Sequence, residues 1–143
     1  MRVRHVPLLL VLGAGSIVGC RDSTGIDTET ARAAGVYVLQ APSSENRYGA
    51  PESGSMYLSR GGDARREVIY RSGFGAVVKS VSAGTFSVHG QAVDLRLVEQ
   101  RSLSPYVWSP PATLRGSTLT LRYPGPADGE ITETYVRLTS LVP

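Results

Sequence analysis

The sequence predicts an all-β domain, a single antiparallel up-and-down barrel of about eight strands. From Gly35 onward, short runs alternate apolar and polar residues between glycine, proline and serine clusters, the pattern of half-buried strands. No convincing helix is read after Cys20. An internal echo fixes two turns, because Val88-His89-Gly90-Gln91-Ala92-Val93-Asp94-Leu95-Arg96 matches Leu114-Arg115-Gly116-Ser117-Thr118-Leu119-Thr120-Leu121-Arg122 in register. In each copy the glycine lies between two alternating runs, where a two-residue hairpin needs the positive φ that glycine adopts without steric cost.

The chain before this domain reads as an address. Arg2 and Arg4 precede an apolar run centred on Leu8 to Leu12, and the stretch from Pro7 to Gly19 is too short and glycine-interrupted to cross a membrane permanently. It ends in Ile17-Val18-Gly19-Cys20, which resembles the lipobox cut by signal peptidase II, with Cys20 as the acylated first mature residue. Cys20 is the only cysteine, so the domain has no internal disulfide and its stability comes from its core. Residues 1–19 are expected to be a lipoprotein signal peptide and 20–34 a lipidated N-terminus and flexible linker reaching roughly 20 Å. The barrel domain is expected over 35–143. Two or three acyl chains would anchor the protein stably, where one is marginal. Arg21, rather than the aspartate associated with inner-membrane retention, follows the cysteine and points to the outer membrane.

The eight strands are read at Val36-Gln40, Ser55-Arg60, Arg65-Arg71, Gly84-His89, Ala92-Glu99, Thr113-Arg115, Ser117-Tyr123 and Thr132-Leu138. Ala76 to Val81 extends the fourth strand across an expected bulge near Ala83-Gly84. If the strands run up and down, tight turns follow the second, fourth and sixth and share one end. Ala41 to Gly54, Ser72 to Gly75, Gln100 to Ala112 and Pro124 to Ile131 then gather at the other. A closed eight-stranded meander has an interior that side chains fill or that holds one small ligand.

Charge carries little functional signal. The formal +3 includes Arg2 and Arg4, without which thirteen basic residues face twelve acidic ones. The arginines are scattered, which argues against nucleic-acid binding, and the adjacent pair Arg65-Arg66 fits a solvated strand edge. His89 is the only histidine after the signal and precedes the Gly90 turn, so neither a multi-histidine metal site nor a catalytic triad is supported. Glu130 and Glu133 lie on or near the last strand without a recognisable partner motif. No catalytic residue, metal site or cofactor is assigned.

The segments Gly35-Val36-Tyr37, Gly84-Thr85-Phe86-Ser87-Val88 and Tyr135-Val136-Arg137 make the domain resemble the lipocalin-like lipoproteins of bacterial envelopes, within the calycin group. That resemblance implies a barrel in which an arginine of the last strand packs on a Gly-x-Trp of the first. Here Tyr37 stands at the tryptophan position and Arg137 is its expected neighbour. Two functional readings stay open. In the first, Tyr48, Phe74, Tyr106 and Trp108, all on connections at one end, line a mouth for a small apolar ligand. In the second, the barrel is filled and serves as a non-catalytic envelope module that meets another protein.

Overall fold

The computed structural model describes residues 27–40, 49–99, 104–125 and 128–138; Cys20 and Tyr48 lie outside them. Nine strands follow in chain order: β1 (Gly35–Leu39), β2 (Ala50–Leu58), β3 (Asp63–Arg71), β4 (Val77–His89), β5 (Ala92–Glu99), β6 (Tyr106–Trp108), β7 (Ala112–Arg115), β8 (Thr118–Pro124) and β9 (Glu130–Arg137). All pairings are antiparallel, and β9 returns to β1 with Tyr37 opposite Arg137, closing the sheet. The fold is a closed eight-stranded antiparallel barrel, compatible with a calycin-like fold, because β6 and β7 occupy one strand position. Both lie on the same side of β5, β6 opposite Leu97–Glu99 and β7 opposite Ala92–Val93. Between them Pro110 and Pro111 have no N–H to give to the β5 ladder. The sequence reading missed β6 because this short strand is bounded by the very residues that mark loops.

Alternation sorts the side chains. On β5, Val93, Leu95, Leu97 and Glu99 are buried, and on β3 Ala64, Arg66, Val68 and Tyr70 are. The strand β4 is thirteen residues long and runs through Ala83 and Gly84 in unbroken register with both neighbours, so the expected bulge is absent. Glycine is needed at 84 for another reason: a Cβ there would collide with the backbone carbonyl of Arg96 on β5. The irregularity lies instead in β2, which starts five residues earlier than expected and shifts register between Pro51 and Ser53.

The tight turns at Gly62, Gly90 and Gly116 share one end, as the alternation of connections requires. Phe86 N–H donates to the Gly62 carbonyl at 2.7 Å and Leu114 N–H to the Gln91 carbonyl at 2.8 Å. Gly90 and Gly116 have φ of 65° and 58°, the conformation for which the hairpins select glycine.

This end is covered by a helix that the sequence reading placed in the flexible linker. The helix α1 (Thr28–Ala33) is capped by the Asp27 carboxylate, which accepts from Glu29 N–H, and carries Glu29 in its first turn and Arg32 in its last. At six residues it would not persist alone. Contacts with the barrel hold it. Val88 N–H donates to Thr30 Oγ1 at 3.0 Å, Gly90 N–H to the Glu29 carboxylate at 2.7 Å, and the Tyr37 hydroxyl to the Ala33 carbonyl at 2.7 Å. Arg137 donates to the carbonyls of Arg32 and Ala34. Tyr37 and Arg137 are thus cross-strand neighbours, and both also grip the helix that seals the barrel floor. Above it lies the apolar core, with Met56, Leu58, Phe86, Leu97, Leu119 and Leu121 among its members.

Candidate functional site

At the end opposite α1 the interior opens into a cavity of about 560 Å³. One wall is apolar and comes from the interrupted strand and β9, with Val107, Trp108, Pro110, Pro111 and Ile131. The polar part of the lining comes from inward positions of β3, β4 and β5: Arg66, Tyr70, Ser80, Ser82 and Glu99. Ser109 and the two prolines also border a shallower groove outside the barrel, beside Asp94, Leu95 and Arg96. The proline interruption thus shapes both surfaces.

Beneath the cavity lies an ion pair. The Arg66 guanidinium, 3% exposed, meets the Glu133 carboxylate, 0% exposed, through Nη2–Oε1 at 2.5 Å and Nε–Oε2 at 3.0 Å. The Tyr123 and Tyr135 hydroxyls donate to the same carboxylate at 2.5 and 2.6 Å, so both its oxygens have two donors. Arg66 also donates to the hydroxyls of Tyr70 at 2.7 Å and Tyr135 at 3.0 Å. Burial alone would raise the Glu133 pKa, but the Arg66 charge and the converging hydrogen bonds outweigh it and hold the carboxyl below its usual range. Burial and the adjacent Glu133 push the Tyr123 hydroxyl up, and burial is the leading cause of the same shift at Tyr135. These tyrosines therefore stay protonated as donors.

This network corrects the reading of Arg65-Arg66 as a solvated pair. Arg65 is exposed, whereas Arg66 shares the inward parity of Ala64, Val68 and Tyr70. Glu133 likewise shares the parity of Ile131 and Tyr135. The signal was the alternation itself, which assigns both charges to the interior of their strands.

Of the aromatic residues expected at the mouth, Trp108 and Tyr106 line the cavity. Trp108 packs edge-to-face on Tyr123 with ring centroids 5.5 Å apart, and the Arg66 guanidinium carbon lies over its ring at 5.4 Å. Phe74 projects fully into solvent from the β3–β4 turn and is not among the lining residues. Sequence reasoning did not identify Arg66, Ser80, Ser82, Glu99 or Tyr123. Two of these are a polar pair on one wall: Ser80 Oγ donates to Glu99 at 2.7 Å, and Ser82 Oγ, 1% exposed, has no hydrogen-bond partner among the described residues.

A second constellation lies outside the barrel. His89 Nε2 is 3.4 Å from Ser87 Oγ and 3.6 Å from Asp94 Oδ2. A nucleophilic triad needs serine and carboxylate on different ring nitrogens, and here both approach the same one. The ring is exposed beside the Gly90 turn, away from the cavity.

Comparisons of this chain with protein-family models, curated proteins and solved structures find no match. The geometry of the barrel and its cavity therefore carries the functional argument.

Proposed function

We propose that the chain is a lipid-anchored cell-envelope protein, of the lipocalin-like kind that its strand motifs resemble, whose barrel holds a small and largely apolar molecule at its loop end. The cavity supports this reading most directly. Its volume of about 560 Å³ falls within the range of small-molecule sites, roughly 300–1,000 Å³. Its lining of Trp108, Ile131 and prolines, with a few fixed polar groups, suits a ligand that is apolar over most of its surface. A filled envelope module would need no such space. The anchor rests on the Cys20 motif, and outer-membrane placement on Arg21.

Trp108 is the only tryptophan, so its emission reports the cavity directly. Titration with apolar probes is expected to shift or quench this emission saturably, and Trp108→Phe to remove the signal while calorimetry still detects binding. A broad panel silent by both methods would overturn the carrier reading in favour of a docking module. For the anchor, labelled palmitate is expected in the native chain and not in Cys20→Ser; equal label in both refutes it.

A further inference from the structure

We infer that Arg66 is the partner of the ligand's head group: its Nη1 amino group donates to a carbonyl or carboxylate oxygen on a molecule that is otherwise apolar. This deepens the ligand-holding reading above, on which it rests, by naming the atom that orients the molecule. A guanidinium spreads its N–H donors over three nitrogens. Here Nε donates to Glu133 and Tyr135, and Nη2 to Glu133 and Tyr70, whereas no hydrogen bond among the described residues uses Nη1. Nη1 also remains accessible. Ser82 Oγ is the only fully buried side-chain polar atom without a partner among the described residues, so Nη1, which has none either, keeps surface of its own. That surface opens on the cavity, because Arg66 is 3% exposed overall and the cavity is the space it lines.

A charged donor held in a largely desolvated place gains more from an acceptor than a neutral one does. The Trp108 ring beneath the guanidinium carbon supplies an apolar face and no oxygen. Glu133, Tyr70 and Tyr135 fix the guanidinium plane through its other two nitrogens, so Nη1 is presented in one direction before any ligand arrives and little side-chain freedom is lost on binding. Trp108, Ile131 and the prolines take the hydrocarbon. Glu99 puts a carboxylate in the same lining, where it accepts from Ser80, so an anionic head meets a charge that a neutral carbonyl does not. Both heads are therefore compared.

The test uses the full chain made in a membrane-free cell-free reaction, so that Cys20 stays unmodified, with three probes at pH 7.5: 2-decanone, decanoate and protonated decylamine, whose head only donates. Binding is read by Trp108 emission and by calorimetry. The tighter of the two acceptor probes is expected to exceed decylamine by about tenfold, the worth of one charge-assisted hydrogen bond, and its identity distinguishes a carbonyl from a carboxylate head. Arg66→Lys keeps a positive charge for Glu133 but presents no second nitrogen at the Nη1 position; it is expected to abolish that preference while decylamine binding holds. In the native chain labelled with [15N]arginine, the Arg66 guanidinium signals are expected to move with the acceptor probe and not with decylamine, a readout that does not depend on a variant folding. Decylamine bound as tightly as both acceptor probes, a preference that survives in a folded Arg66→Lys, or Arg66 signals unmoved at saturation overturns the inference and leaves the carrier reading standing. Binding of no probe by either method overturns both.

Discussion

Toward α1 the barrel interior is Leu58, Ala64, Phe86, Leu97, Leu119 and Tyr135 packed on one another, whereas further along β3, β4, β5 and β9 inward positions carry Arg66, Ser80, Ser82, Glu99 and Glu133. On β5 the change takes one inward step, from Leu97 to Glu99; on β9 it takes one, from Tyr135 to Glu133. The floor is made of groups whose burial is favourable without partners, about 1.5–3 kcal/mol for each large side chain. The upper half adds to its apolar wall groups that tolerate burial only when paired, and a buried ion pair roughly breaks even against an apolar replacement. The floor thus stabilises the fold, and the upper half positions polar atoms around a space at a cost that the floor must offset.

Breaking the upper half unevenly is expected to have the largest effect. Glu133→Ala leaves Arg66 buried without its counter-ion and should cost about 3–5 kcal/mol, measured by denaturant unfolding. Replacing both partners, as Arg66→Met with Glu133→Leu, should recover most of that loss; a double variant as unstable as the single one would mean that the pair stabilises the fold in its own right. The same pair sets an acid dependence. The folded-state pKa of Glu133 is depressed, so its contribution is present above the unfolded-state value, about 4.3, and lost as pH falls through the lower folded-state value. The native chain should therefore lose more stability than the double variant between pH 5 and pH 3, and parallel pH profiles would contradict this assignment.

In the floor, Leu58→Ala removes a fully buried side chain and should cost about 3 kcal/mol through lost burial and the void left behind. Its effect on binding at the far end should be small, which a titration at a temperature well below the melting point checks. Thr30→Val keeps the shape of the side chain but deprives Val88 N–H of its acceptor. The expected cost is about 1–2 kcal/mol, with faster hydrogen exchange at Val88 and Gly90 showing that α1 has loosened from the floor. The smallest change is Ser82→Ala, which removes a buried hydroxyl without a partner among the described residues and should stabilise the fold by about 1 kcal/mol. A destabilised Ser82→Ala would show that the hydroxyl already has a structural role.

These differences also mark where sequence reasoning succeeded. The Gly90 and Gly116 hairpins, the alternation of β3, β5, β8 and β9, and the parity that separates Gly90 from Trp108 are all local. Each depends on residues within a few positions of one another, and period-two alternation and glycine turns are expressed at that range. Two missed features were locally written but outweighed. The inward parity of Arg66 and Glu133 is visible in their strands, yet either charge alone looks out of place in a core. Only closure brings residues 67 positions apart within hydrogen-bonding distance and makes their burial tolerable.

By itself, then, the sequence determined the all-β class, the direction of the strands and the three tight turns, and it carries the alternation of β3, β5, β8 and β9, since these follow from backbone sterics and the alternation of side chains. The tertiary structure alone decided what those inward residues meet. Gly84 is required by the approach of β5 rather than by a bulge, Thr28–Ala33 is helical because the barrel floor supplies partners for it, and Pro110-Pro111 divides a strand whose halves share one neighbour. The cavity, too, belongs to the closed barrel. Its volume depends on the spacing of walls drawn from β3 to β9, and no single strand encodes that spacing.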